Sequence, residues 1–315
     1  MEILTSTGWT DYELIDTGSR EKLERFGKYI LIRPEPQAVW QKSLSEKEWE
    51  SLSHARYVRM KGKKAAGEES ERGSWIRKPK MPDQWNISYQ YKQMNLTFRL
   101  GLTAFGHIGV FPEQAINWNY IYDIITQRSK LKDQNANGKT EIPSRVTRHT
   151  SRVLNLFAYT GGASLAAKAA GADVVHVDSV KPVITWAKEM MEASGLDNIR
   201  WVVEDAMNFV RREVKRGNLY DGIILDPPAY GRGPDGEKWI LEDSIDEIIA
   251  LCKQLLVPEQ GFFVLSLYSM GFSALIPESL VKTRFGEIPG MECGEFYFED
   301  KAKRKLPLGT FLRFG

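Results

Sequence analysis

Four segments of the sequence carry residue types that can hold a nucleoside and steer a reactive group beside it. The first, Asn155-Leu156-Phe157-Ala158-Tyr159-Thr160-Gly161-Gly162-Ala163, leaves an apolar run through paired glycines. Glycines let the backbone approach a ligand closely and open the next helix. The second, Val177-Asp178-Ser179, ends another apolar run in an acid. About twenty residues beyond such a turn, an acidic side chain accepts hydrogen bonds from ribose hydroxyls in nucleotide-binding folds. The third, Glu204-Asp205-Ala206, can offer a carboxylate or a backbone amide to an adenine edge. The fourth is Asp226-Pro227-Pro228-Ala229-Tyr230-Gly231. Its acid and a proline carbonyl can accept hydrogen bonds from an exocyclic amine, and its tyrosine can stack on a splayed-out base. Each segment alone also reads as a turn or a helix cap, Asp205 most plainly, because a helix starts at Ala206. Together they close three consecutive strands with acids after a glycine turn, the pattern of a nucleoside-containing cofactor.

The elements that must position these residues alternate strand and helix. Apolar strands are expected at Val153–Phe157, Val174–Val177, Arg200–Val203, Gly222–Leu225 and Phe262–Ser266. Helices are expected at Ala163–Ala170, Pro182–Ser194, Ala206–Arg216 and Ser244–Leu256. That alternation means βαβ units and a mostly parallel, Rossmann-like α/β sheet. Gly294–Glu299 and Gly309–Phe314 leave no room for a crossover helix and should form an antiparallel hairpin at the C-terminus. Before this zone, Ala115–Gln127 has helical spacing, and the polar, basic stretch 128–151 reads as a mobile loop. Residues 1–95 mix short strand-like runs with turn signals, such as Lys28–Arg33 and a hairpin from Asn86–Tyr91 and Leu96–Leu102. They are expected to form a small β-rich domain beside a domain of residues 96–315.

The segments Leu154–Gly162, Val177–Ser179, Glu204–Ala206 and Asp226–Gly231 resemble the S-adenosylmethionine (SAM)-dependent methyltransferase family that includes bacterial 23S rRNA cytosine-C5 and guanine-N7 methyltransferases. Gly106-His107-Ile108-Gly109-Val110-Phe111-Pro112-Glu113-Gln114 resembles a further element of that family. The resemblance covers about residues 96 to 315. It implies a class I methyltransferase fold, with SAM as the cofactor. Asp178 would then hold the ribose, Asp205 the adenine, and Thr160, Gly161 and Gly162 the methionine moiety. Phe111, Gln114, Asn155, Tyr159, Ser179 and Asp226 would line the same pocket.

The resemblance also frames the methyl acceptor. Asp226, Pro227 and Tyr230 are the candidate catalytic residues, although Ala229 separates the second proline from the aromatic ring. Cytosine-C5 enzymes add a cysteine thiolate to carbon 6, because carbon 5 is a poor nucleophile. Relatives that do so place that cysteine after the fourth or fifth strand. Here Ala229 follows the fourth strand, and Ser266-Leu267-Tyr268-Ser269 follows the fifth. Cys252 and Cys293 sit elsewhere and read as packing residues. The expectation is transfer to a nitrogen or another intrinsically nucleophilic atom without a catalytic cysteine.

Composition narrows the partners. Two separated cysteines form neither a disulfide framework nor a cysteine zinc site, and no metal site is expected. No apolar run has membrane-spanning length and no secretory signal is visible, so the chain reads as cytoplasmic and free of membrane. The net charge of +2 conceals segregation. Residues 54–80 hold nine Lys or Arg against three Glu, and residues 128–152 hold seven against two acids. Such segregation suits a polyanion, here RNA and by resemblance ribosomal RNA, as much as a solvated loop. A protein or small-molecule methyltransferase and a SAM- or RNA-binding module without catalysis are the alternatives. Nothing in the sequence sets an oligomeric state.

Overall fold

The computed structural model describes residues 1–60, 72–137, 150–268 and 273–315. In chain order the elements are β1 (Glu2–Leu4), β2 (Tyr12–Gly18), β3 (Glu21–Phe26), β4 (Tyr29–Pro34), α1 (Glu46–Leu52), β5 (Ala55–Arg59), β6 (Gly73–Arg77), β7 (Gln84–Tyr91) and β8 (Met94–Gly101). A 3-10 turn at Pro112–Gln114 leads into α2 (Ala115–Asn137) and β9 (Arg152–Leu156). Then follow α3 (Gly162–Ala169), β10 (Asp173–Asp178), α4 (Lys181–Ala193), β11 (Ile199–Val203), α5 (Ala206–Lys215) and β12 (Gly222–Leu225). The chain closes with β13 (Tyr230–Arg232), β14 (Lys238–Ile240), α6 (Leu241–Leu255), β15 (Phe262–Leu267), α7 (Leu275–Phe285), β16 (Glu292–Glu299) and β17 (Lys305–Phe314).

Two compact units divide these elements. The larger comprises Met1–Leu4, Gln114–Phe296 and Leu308–Gly315; the smaller comprises Thr5–Glu113 and Tyr297–Pro307. The division therefore falls at Glu113/Gln114 and not at 95/96, a point inside β8, whose residues pair along the whole of β7.

The larger unit is one eight-stranded sheet in the order β1-β16-β17-β15-β12-β9-β10-β11. The run β15-β12-β9-β10-β11 is parallel throughout, and β17 lies antiparallel to β15. β12 and β15 are buried along their full length. Strands covered on both faces need continuous apolar runs, which is why their sequences lack alternation. Leu154, Leu156, Val175, Val177, Ile223, Leu225, Phe263 and Leu265 form the sheet side of the core, and Phe209, Ile248, Ile249 and Cys252 the helix side.

Three features of this unit depart from the sequence-based expectation. α2 runs to Asn137, so residues 128–137 are helical and not part of a mobile loop. No Gly or Pro interrupts the chain from Ala115 to Asn137, and Arg128 lies 5.2 Å from the ring centroid of Phe262 while donating to the Asp221 carbonyl at 3.2 Å. The rest of that basic stretch, 138–149, lies outside the described residues, as do Lys61, Lys63 and Lys64. β1 joins the sheet edge by pairing parallel with β16, Glu2 opposite Gly294. α7 occupies a stretch to which the sequence pattern assigned no element.

The smaller unit holds the five-stranded sheet β2-β3-β4-β5-β6 and the separate hairpin β7-β8. β4 and β5 are parallel, joined through α1. Ser45 and Glu48 form a capping box at the start of α1, and Trp49 buries its ring while donating to Asp16 Oδ2 at 2.7 Å. Asp16 also explains why Tyr297–Pro307 belongs here. Thr17 donates to Asp300 Oδ2 at 2.6 Å, and Arg304 bonds both Asp16 and Asp300. Among the described residues no helix is long and apolar enough to cross a membrane.

Candidate functional site

Four parallel strands are in register near their carboxyl ends. Leu156 lies opposite both Val177 and Leu225, and Leu225 lies opposite Leu265. The next residues, Phe157, Asp178, Asp226 and Ser266, therefore stand at one level: Phe157 and Asp226 leave the sheet there, while Asp178 still pairs with Val203 and Ser266 with Phe311. From β9 the chain winds outward to β10 and β11, then returns to β12 on the other side of β9. That reversal is the switch point at which open α/β sheets take ligands, outside the carboxyl ends of the strands.

The turn after β9 is unusual backbone. Phe157, Tyr159 and Gly161 have φ of 54°, 49° and 88°. Only glycine visits this region freely, and other residues there cost about 1 kcal/mol or more each. Local bonds hold the turn in place. Ala158 N–H donates to the Val177 carbonyl at 3.0 Å, Tyr159 N–H to Asp178 Oδ2 at 2.9 Å, and Gly161 N–H to the Ala158 carbonyl at 2.9 Å. Beneath it lies a buried polar chain. Asn155 Nδ2 donates to Ser164 Oγ at 2.9 Å, and that oxygen lies 3.0 Å from His176 Nδ1. Burial lowers the His176 pKa to about 3, so its ring is neutral at any ordinary pH. A Cβ on Gly161 would stand 3.3 Å from that ring, and one on Gly162 would stand 2.5 Å from the ring of Trp118 on α2. The second glycine thus has a packing reason, the close approach of α2 to α3.

Asp178 sits half-buried at the end of β10. Its Oδ2 accepts from Tyr159 N–H and its Oδ1 from Val180 N–H, both at 2.9 Å. Burial raises its pKa, against the pull of those two bonds. Each oxygen keeps a lone pair for a hydroxyl donor. Next to it, Ser179 Oγ donates to the Arg232 carbonyl at 3.2 Å, which ties this loop to β13. Asp205 is the N-cap of α5: its Oδ1 accepts from Asn208 N–H at 2.9 Å. Glu204 is paired with Arg212.

After β12, Asp226 is half-buried, Pro227 is buried, and Pro228, Ala229 and Tyr230 are exposed. Trp239 braces this loop. Its Nε1 donates to the Pro228 carbonyl at 2.7 Å, and its ring lies 4.6 Å from that of Phe157, centroid to centroid. The Pro228 carbonyl is thereby committed within the protein. Tyr230 opens the short hairpin β13-β14 opposite Ile240 and keeps 47% of its surface in solvent, so its ring does not serve the core.

Gln114 reaches the end of β15. Its Oε1 accepts from Asn117 Nδ2 at 3.0 Å and from Ser266 Oγ at 3.2 Å, and Asn117 Nδ2 also bonds Ser266 Oγ at 3.0 Å. Phe111 belongs to the smaller unit, with its ring 5.3 Å from that of His107. The larger unit thus gathers Gln114, Tyr159, Thr160, Gly161, Gly162, Asp178, Ser179, Asp205 and Asp226 along the carboxyl ends of the strands and the loops that leave them. Asn155 stands apart, because its amide points into the core toward Ser164. Trp118, Ser164, His176, Trp239 and Ser266 support the site without having been singled out in the sequence. Only the Gly-Gly pair hinted at them, since a second glycine often marks a close neighbour.

Neither cysteine follows the carboxyl end of β12 or β15. Cys252 is fully buried in α6, and burial drives its thiol well above the ordinary range. Cys293 on β16 is raised by burial and by Glu278, whose Oε2 lies 3.8 Å from its sulfur. A thiol held protonated is a poor nucleophile. If the cysteine-free methyl transfer expected from the sequence holds, a Cys252→Ala/Cys293→Ala variant keeps its activity within about threefold of the parent, compared at equal folded fraction. A covalent adduct with 5-fluorocytidine RNA that vanishes in this variant would show the opposite.

Residues 138–297 match the family described as S-adenosylmethionine-dependent methyltransferase. The chain is 38% identical over 90 residues to ribosomal RNA large subunit methyltransferase I of Aeromonas salmonicida, covering 27% of this chain and 23% of that protein. It is 26% identical over 180 residues to ribosomal RNA large subunit methyltransferase K/L of Shewanella frigidimarina, covering 56% of this chain and 22% of that protein. The matches thus span less than a quarter of the length of these curated relatives. Among solved structures, the SAM-dependent methyltransferase from Agrobacterium tumefaciens superposes with a TM-score of 0.82 at 33% identity, over 100% of this chain and 93% of that chain. The structure of SMU.776, complexed with SAH, shares the fold with a TM-score of 0.65 at 17% identity, over 97% of this chain and 76% of that chain.

Proposed function

Because the chain belongs to the S-adenosylmethionine-dependent methyltransferase family, we propose that it transfers the methyl group of SAM to a nitrogen, or another intrinsically nucleophilic atom, of ribosomal RNA. The observation that carries this reading is the element Asp226-Pro227-Pro228-Ala229-Tyr230. It leaves the sheet beside the glycine turn at the switch point, with a half-buried acid and an exposed tyrosine. The RNA class rests on the names of the curated relatives and on the basic stretches of the sequence. A ribosomal acceptor puts the work in the cytoplasm.

The residues fit the cofactor. Asp178 presents two oxygens, each with one backbone partner and a free lone pair, which suits a ribose diol. The turn 159–162 meets the first amides of α3, whose positive helix end favours the methionine carboxylate. Asp205 caps α5 with Oδ1 and keeps Oδ2 for the adenine amine. Ser179 fixes the loop behind the ribose, and Gln114 closes the far side beside Ser266. Asn155 acts from below, through Ser164.

When bound, SAM supplies an electrophilic methyl on a sulfonium. What the chain must add is chiefly alignment, because in-line attack needs orientation above all. Asp226 accepts a hydrogen bond from the attacking amine and takes up its proton as the new bond forms. Pro227 keeps a competing backbone donor out of that spot, since proline has no N–H. Tyr230 offers its exposed face to the base.

Incubating the protein with methyl-labelled SAM and total cellular RNA, then analysing nucleosides by mass spectrometry, tests the proposal. Label in an N-methylated nucleoside is the expected result. Label only in protein or small molecules moves the acceptor to another class. SAM bound but never consumed leaves a binding module.

A further inference from the structure

The smaller unit carries an aromatic side chain that is held out of the core by design of the backbone beneath it. Phe105 stands at the tip of the turn Thr103–Gly106 and exposes 49% of its surface. The turn closes on itself through Gly106 N–H to the Thr103 carbonyl at 3.2 Å and Thr103 Oγ1 to the His107 carbonyl at 2.7 Å. Three groups from β5 and β6 pin it from outside. Tyr57 Oη donates to the Ala104 carbonyl at 2.8 Å, Trp75 Nε1 to the Thr103 carbonyl at 2.7 Å, and Gly73 N–H to the Ala104 carbonyl at 2.8 Å. Gly106, at φ 76°, lies on Tyr57, where an added Cβ would stand 3.2 Å from the ring. A pinned backbone loses little entropy on binding, so an exposed ring upon it is preorganised.

One cation lies over that ring and a second stands on the strand pair beneath the turn. The Arg72 guanidinium lies 5.6 Å from its centroid. Arg59 lies across the β5-β6 ribbon from Gly73, the residue that pins the turn, and both arginines are exposed. Neighbouring basic groups are already engaged: Arg56 with Glu21, Glu46 and Glu50, and Arg77 with Asp83. Val58, Met60 and Ile76 add exposed apolar surface on the same ribbon.

We propose that Phe105, with Arg72 beside it and Arg59 on the strand pair that carries the turn, is a stacking platform for an unpaired base of the RNA substrate. A flat ring takes any base by its π-face, and a guanidinium strengthens the stack while a second one meets the phosphate. The inference rests on the RNA reading above and assigns that RNA a contact outside the methyl-transfer site.

The test uses the full chain and a single-stranded RNA of about twelve nucleotides bearing one 2-aminopurine, whose fluorescence is quenched by stacking. Phe105→Ala is expected to weaken binding about tenfold and to abolish part of the quenching, with SAM affinity and melting temperature unchanged. Phe105→Trp restores both, and Phe105→Leu, which is apolar but cannot stack, does not. Arg59→Gln/Arg72→Gln lowers the salt slope of binding by about one unit, whereas Phe105→Ala leaves the slope alone. Equal affinity in Phe105→Ala, or full rescue by leucine, overturns the platform and leaves the RNA reading standing. A parent protein that binds no RNA while methylating another acceptor overturns both. A change of mass in solution on Phe105→Ala, read by light scattering, would assign the ring to a contact between copies of the chain and overturn the platform as well.

Discussion

Asp178→Ala is expected to weaken SAM binding about ten- to a hundredfold, the loss of about 1.5–3 kcal/mol that attends removal of a charged hydrogen-bond acceptor. Two effects combine. The ribose loses its carboxylate, and Tyr159 N–H loses the Oδ2 that holds it at 2.9 Å. Tyr159 has positive φ and sits in the middle of the glycine turn, so the turn loosens where the methionine end must lie. Asp178→Asn separates the effects. Its amide oxygen can keep one backbone donor, but it is neutral and offers one acceptor oxygen in place of two. Isothermal calorimetry should place it between the parent and the alanine variant. Unchanged SAM affinity in Asp178→Ala would remove the ribose contact from the proposal, whatever the activity.

The residues that would touch a ligand were legible in the sequence because their signals are local. Asp178, Asp205 and Asp226 each follow an apolar run short enough to be a buried strand, and Gly161-Gly162 follows another such run just before them. The groups that hold them were not legible, because each partner is distant in the chain. Trp239 reaches back to Pro228 and Phe157, Ser266 meets Gln114, and His176 meets Ser164 only once β10 lies beside β9.

The same contrast runs through the fold. The parallel strands announced themselves as apolar runs and the start of α5 as a cap. The second half of α2 did not, since Lys, Asn and Gln gave it the composition of a loop although no helix breaker occurs before Gly138. Nor did the attachment of Tyr297–Pro307 to the smaller unit, which depends on Arg304 and Asp300 meeting Asp16 and Thr17 nearly the whole chain away. The hairpin β13-β14 was hidden for another reason. Its strands are three residues long, below the length at which alternation can be recognised.

Asp226→Ala is expected to slow methyl transfer about a hundred- to ten-thousandfold while SAM affinity moves by less than about fivefold. That is the range over which a positioned proton acceptor contributes. The asymmetry follows from where the residue stands. It leaves β12 level with Phe157, at the switch point, in a loop braced by Trp239 and closed by an exposed tyrosine. Removing its carboxylate leaves that brace intact, because the Trp239 bond goes to the Pro228 carbonyl and not to Asp226. The turn and Asp178 remain as well, so SAM should still bind. What is lost is the group proposed to orient an amine and take its proton. Asp226→Asn distinguishes the two tasks. If orientation dominates, the amide oxygen preserves much of the rate; if proton uptake dominates, asparagine is nearly as slow as alanine. Tyr230→Ala should instead raise the KM for RNA with a smaller change in kcat, because its ring meets the base before and during transfer alike. Single-turnover transfer of labelled methyl from pre-bound SAM, measured with each variant, reads these differences directly. An Asp226→Ala protein that transfers at the parental rate would show that the acceptor atom needs no proton acceptor from this loop, and would restrict the role of the Asp-Pro-Pro element to shaping the pocket.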